Sequence, residues 1–166
     1  MAKTVLFIQL PVQDPDGASA AANVPLAAGY LAACAERRFG GRFRFSILPR
    51  EVVDYGGDEG ILRSIGREKP GIAVFTLYLW NRERSLFLAR RLKRRIPGLV
   101  IFAGGPEAAD AGDGGAAGGL PERDAEAGAL DSAGGFPGID AVAAGEGEGV
   151  FLRMLEDHLA GRLRPL

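Results

Sequence analysis

Short apolar runs separated by stretches with helical spacing give the first picture of this chain. Thr4 to Leu10, Phe43 to Leu48, Gly71 to Tyr78, Leu99 to Ala103 and Ala141 to Ala144 each read as a strand, because they are brief and rich in β-branched or aromatic residues. Several are apolar on consecutive positions, as in Ile72-Ala73-Val74-Phe75 and Val100-Ile101-Phe102. Such a strand has no solvent side, which implies a parallel sheet covered by helices on both faces. Helices are expected at Pro25 to Arg38, Asp58 to Glu68, Arg82 to Ile96 and Glu148 to Leu159. In the third, Leu88, Leu92 and Ile96 share one face, while Arg84, Arg91, Lys93, Arg94 and Arg95 are expected on a solvated one. Pro25 suits a first helical turn, where a missing N–H costs nothing, and Pro97-Gly98 stops the third helix before the next strand.

The alternation of strand and helix predicts an α/β fold, doubly wound in the Rossmann-like or flavodoxin-like manner, with right-handed crossovers and a five-stranded, mostly parallel sheet. Ligands of that architecture bind beyond the carboxyl ends of the strands, near the reversal of strand order. Residues 111–136 break the pattern: Gly, Ala, Asp and Glu dominate, and Leu120 and Leu130 are the main large apolar side chains. Such a stretch buries too little surface to offset its ordering entropy and is expected to be a mobile insertion.

A length of 166 residues, 47% hydrophobic and 25% charged, gives one globular domain with a core of ordinary size. The formal net charge of -1 provides no field to attract nucleic acid or an anionic membrane. Cys34 is the single cysteine, so neither an internal disulfide nor a cysteine metal cluster can form, and a reducing, cytoplasmic setting fits. The apolar run after Met1-Ala2-Lys3 is too short to span a bilayer, and no signal peptide is evident.

Three strand ends carry unusual sequence: Thr76-Leu77-Tyr78-Leu79-Trp80-Asn81, Gly104-Gly105-Pro106-Glu107 and Gly145-Glu146-Gly147-Glu148. In a parallel sheet all three fall on one edge. A glycine pair after a buried strand lets backbone approach a ligand with no Cβ in the way. Aromatic side chains with polar tips suit a ligand that is apolar across its faces and polar at its rim. Taken singly, each has a plainer reading. Gly-Gly-Pro also makes an ordinary turn, Tyr78 and Trp80 also cap cores, and two glutamates opening a helix also complement its dipole and its free N–H groups.

These segments, with Pro25-Leu26-Ala27-Ala28-Gly29-Tyr30-Leu31, Ile96-Pro97 and Asp140-Ala141-Val142, resemble the N-terminal cobalamin-binding domain of cobalamin-dependent radical S-adenosylmethionine (SAM) enzymes. The resemblance spans nearly the whole chain. It implies that Thr76 and Gly104-Gly105 line a slot for the nucleotide tail, that Tyr78, Trp80 and Asn81 lie near the corrin, and that Leu77, Leu79, Pro106, Glu107, Gly145, Glu146 and Gly147 complete the cofactor-binding edge. It also implies a radical SAM domain following this one, carrying a 4Fe-4S cluster and S-adenosylmethionine. The chain ends about where the family passes into its barrel, so it is expected to be part of a longer protein.

The loop from Pro11 to Asn23 lacks the Asp-x-His-x-x-Gly pattern whose histidine ligates cobalt in better-known cobalamin domains. The sole histidine, His158, belongs to the last expected helix, away from the binding edge. The resemblance therefore implies cobalamin bound base-off and His-off, with no protein metal ligand assigned. One cysteine cannot hold the family's Cys-x-x-x-Cys-x-x-Cys cluster, so the chain alone is not expected to catalyse. Three rivals stand beside this reading. A receiver domain would need an acceptor Asp where Thr76-Leu77-Tyr78 stands. A nucleotide- or small-molecule-binding module would use the glycine turns for phosphate. A scaffold domain would have lost its ligand.

Overall fold

The computed structural model describes residues 2–12, 24–111, 136–144 and 146–163. Five strands, β1 (Lys3–Ile8), β2 (Phe43–Ile47), β3 (Ile72–Thr76), β4 (Val100–Gly104) and β5 (Ala141–Ala143), form one all-parallel sheet in the order β2-β1-β3-β4-β5. This is the flavodoxin-like order, with the reversal of winding between β1 and β3. The helices are α1 (Leu26–Phe39), α2 (Arg50–Tyr55), α3 (Gly57–Glu68), α4 (Arg82–Arg95) and α5 (Gly147–Leu159), and a 3-10 turn covers Pro106–Ala111.

The pleat sends alternate side chains to two cores, which explains the consecutive apolar residues. Val5, Phe7, Ile72, Val74, Val100 and Phe102 pack with residues of α1 and α5. Leu6, Ile8, Ala73, Phe75, Ile101 and Ala103 pack with residues of α2, α3 and α4. Register keeps the sets aligned, Val74 pairing with both Phe7 and Phe102.

Several expectations need correction. β1 ends at Ile8 and β3 at Thr76, whereas Leu10 and Leu77 stay fully buried in the loops that follow. Helix α2 was not expected, since Val52 and Val53 give its six residues a β-like composition. It forms after Pro49, which takes the N-cap position, and buries Val53. Lys93 is not on a solvated face. Its Nζ reaches both carboxylate oxygens of Asp140, at 2.7 and 2.8 Å, and donates to the Leu99 carbonyl at 3.1 Å. Its neighbours tie α4 to α3 through Arg91 and Arg95 on Glu59 and Arg84 on Asp58. Phe136, the last residue of the expected insertion, is buried, with the Arg82 guanidinium 5.3 Å from its ring centre. Gly138 follows with φ +90°, where the Arg90 backbone leaves no room for a Cβ. The rest of that insertion, 112–135, lies outside the described residues.

Candidate functional site

At the carboxyl edge of the sheet a cavity of about 270 Å³ opens between α1 and α5. Its lining includes Phe7 of β1, Val74 of β3, Phe102 of β4, and Phe151 and Met154 of α5, all buried. These side chains are the outer ends of the core beneath α1 and α5, and no described residue above them closes it. Small residues on four elements keep the opening clear: Ala27 on α1, Gly104 on β4, Ala143 on β5 and Gly147 on α5. Polar groups gather among the more exposed lining residues, where Thr76, Tyr78, Tyr30 and Glu148 are half-buried or exposed. Among the described residues lining the cavity, Glu148 alone carries charge.

The two glycines after β4 have different physical roles. A Cβ at Gly104 would meet only Ala143, at 3.4 Å from its Cβ, an ordinary contact. Gly105 has φ +120°, and a Cβ there would fall 2.5 Å from the Leu77 carbonyl oxygen. The Leu77 backbone lies over Gly105 because the loops after β3 and β4 are laced together. The Leu77 N–H donates to the Gly104 carbonyl at 2.7 Å, and the Glu107 N–H donates to the Leu77 carbonyl at 3.3 Å.

The loop after β3 is held by Asn81, which is 1% exposed. Its Oδ1 accepts the Tyr78 N–H at 2.9 Å and its Nδ2 donates to the Leu10 carbonyl at 3.1 Å, tying this loop to the end of β1. The bend brings Tyr78 and Trp80 face to face, with ring centres 4.6 Å apart and planes within 5°. Leu79 is 81% exposed, Trp80 50% and Tyr30 59%, so this edge presents apolar surface to solvent.

Of the residues at the three strand ends singled out from the sequence, Thr76, Tyr78, Gly104, Gly105, Pro106, Gly147 and Glu148 line the cavity. Leu79 and Trp80 lie on the same edge outside it. Leu77 and Asn81 are buried and shape the loops from within. Glu107 lies in the first turn of the 3-10 segment and is not among the lining residues. Glu146 is exposed at the N-cap of α5 and makes no side-chain bond to that helix. Gly145 lies outside the described residues, as do 13–23 of the loop after β1. The sequence reading missed the floor, Phe7, Phe151 and Met154, and gave no site role to Leu31 on the α1 wall, which it quoted only as carrying the resemblance. Their helical or strand periodicity marks them as core, and nothing local says that this core is open at one end.

His158 sits at the opposite, amino-terminal edge, where its Nε2 lies 2.6 Å from the Nζ of Lys3, the first residue of β1. Burial, and then the Lys3 charge, hold its pKa below the ordinary value. Among the described residues there is no group of three or more His, Cys, Asp or Glu placed to hold a metal ion. No described helix is long and apolar enough to cross a membrane.

No family model matches the chain. In sequence it is similar to the 2-(S-pantetheinyl)-carbapenam-3-carboxylate methyltransferase of Streptantibioticus cattleyicolor, 28% identical over 151 residues that cover 87% of this chain and 18% of that protein. It is also similar to the cobalamin-dependent radical SAM methyltransferase TokK of Streptomyces tokunonensis, 27% identical over 95 residues, 57% of this chain and 12% of that protein. The chain thus spans less than a fifth of the length of the curated relatives it matches, and the likeness is to a part of two methyltransferases, one of them named as a cobalamin-dependent radical SAM enzyme.

Proposed function

We propose that this chain binds cobalamin, base-off and His-off, at the carboxyl edge of its sheet, as the cofactor-binding domain of a radical SAM enzyme such as a methyltransferase or cyclase. The observation that carries the reading is the apolar-floored cavity between α1 and α5, opening where this fold class binds ligands. The similarity to TokK, a cobalamin-dependent methyltransferase by name, supports it.

The residues present fit such a group. The cavity approaches the lower end of ligand-pocket volumes, about 300 Å³, and suits the nucleotide tail rather than the whole cofactor. Thr76 offers a hydroxyl at its mouth, and Gly104 leaves the passage free of a Cβ. The stacked Tyr78 and Trp80, with Leu79, offer apolar surface for the corrin face. His158 is at the far edge, so the tail enters the slot with no histidine taking its place. When bound, cobalamin would supply a cobalt centre able to carry a methyl group. The chain's residues would anchor the tail and hold the corrin at the edge, facing a radical SAM domain that binds the 4Fe-4S cluster and S-adenosylmethionine.

Titration with hydroxocobalamin tests this, read by the base-off change in its visible spectrum and by quenching of Trp80, the sole tryptophan. Saturable binding in wild type, lost in Gly104→Val with the unfolding midpoint unchanged, is the expected result. Gly105 is no substitute target, because any side chain there collides with Leu77 backbone. A folded protein with no spectral change at high micromolar ligand would overturn the reading. Saturable binding of a nucleotide instead would favour the phosphate-binding alternative, against which stands the absence of a cationic side chain among the described lining residues.

A further inference from the structure

We infer that the slot selects among cobalamin-like cobamides by their lower base, taking an apolar benzimidazole and disfavouring a purine; this rests on the cobalamin reading above. The basis is the contrast between floor and mouth. Phe7, Val74, Phe102, Phe151 and Met154 carry no nitrogen or oxygen on their side chains, and Ala27 and Leu31 of α1 add only hydrocarbon. The backbone groups of β1, β3 and β4 beneath them belong to the sheet ladder, in which Phe7 pairs with Val74 and Val74 with Phe102. Hydrogen-bonding side chains stand at the mouth: Tyr30, Thr76, Tyr78 and Glu148.

A base pushed to that floor exchanges water for hydrocarbon. For dimethylbenzimidazole this is favourable, because its outer ring and two methyl groups are apolar. An adenine base brings additional ring nitrogens and an exocyclic amine to the same place, and each loses its water without finding a partner. One buried polar group left unsatisfied therefore separates the two cobamides by about tenfold or more, and a second widens the gap. Shape alone does not make this distinction, since both bases are flat bicycles; the selection lies in the chemistry of the floor.

The test compares hydroxocobalamin, the corresponding cobamide with adenine as lower base, and cobinamide, which has no nucleotide tail, in parallel titrations read by Trp80 quenching and visible spectra. The expected order is cobalamin tightest, the adenine cobamide weaker by about tenfold or more, and cobinamide also weak. Leu31→Gln places an amide on the wall from a half-buried helix position, and it is expected to narrow the ratio between the two complete cobamides. The wild-type ratio decides the matter without the variant, so a misfolded Leu31→Gln would not spoil the test. Equal affinity for the two bases would overturn the selectivity and leave cobalamin binding standing. Binding of neither would overturn both.

Discussion

Replacing Lys93 with methionine removes a charge that the arginine-rich sequence of α4 makes look superfluous. The Asp140 carboxylate is 1% exposed and receives the Lys93 ammonium on both oxygens, as well as the Ile101 N–H at 2.7 Å. Methionine keeps most of the lysine stem, so the packing of α4 survives and the ammonium is what disappears. The buried carboxylate then loses the ammonium that faces both of its oxygens. Breaking a buried pair costs about 3–5 kcal/mol. The lysine side chain is 13% exposed, so water partly replaces it, which favours the lower end, about 3 kcal/mol. For a chain of this size each kcal/mol moves the midpoint by about 2–4 °C, giving a fall of about 6–12 °C. Thermal unfolding followed by far-UV circular dichroism measures this, with urea unfolding as the check on free energy. The double variant Lys93→Met with Asp140→Asn retains an acceptor for the Ile101 N–H and removes the buried negative charge together with its cation, so it should recover more than half of the loss. A loss for Lys93→Met alone below about 1 kcal/mol would mark the pair as an ordinary surface bridge. A double variant no more stable than the single one would refute the argument from the buried charge.

Asn81→Ala removes the side chain that joins the loops after β1 and β3, leaving the Leu10 carbonyl and the Tyr78 N–H without partners. It should destabilise by about 3 kcal/mol and shift the emission of Trp80, whereas unchanged emission would mean that the Tyr78–Trp80 stack holds without it. Ser85 is fully buried in α4, and its hydroxyl has no hydrogen-bond partner among the described residues. Ser85→Ala should therefore stabilise by about 1 kcal/mol in urea unfolding, and a loss would mean that the hydroxyl is satisfied in solution. His158 has its pKa lowered in the fold, so the unfolded chain binds the proton more readily and stability falls as pH drops below 6.5, the ordinary value. Midpoints measured between about pH 8 and pH 5 should decline less steeply in His158→Gln, and equal slopes would sink that assignment.

The sheet was legible because β1, β3 and β4 are covered on both sides, so their apolar residues run consecutively and need no knowledge of their neighbours. The ends of the strands were not. Leu10 and Leu77 are as apolar as strand residues, and only the lacing of adjacent loops shows that they have left the ladder. The same limit applies to Lys93, whose partner Asp140 lies 47 residues away and on another element. Phe136 was absorbed into a glycine-rich run because composition is averaged over a window, whereas one phenylalanine suffices to anchor a chain to a core. At the candidate site, the glycines and aromatics after β3 and β4 were visible as departures from ordinary strand ends. The floor was invisible for the opposite reason: Phe7, Phe151 and Met154 obey the core pattern. Asn81 looked like a polar group available to a ligand, and both ends of its amide are spent on backbone.

Two adjacent glycines constrain the descent of this sequence in different ways. Any replacement at Gly105 strikes Leu77 backbone, so selection for a folded protein alone removes it, whatever the domain binds. A replacement at Gly104 meets only Ala143, so a lineage that no longer needs the slot is free to accumulate alanine or serine there. Loss of Gly104 with retention of Gly105 would therefore mark a relative that kept the architecture after abandoning its cofactor.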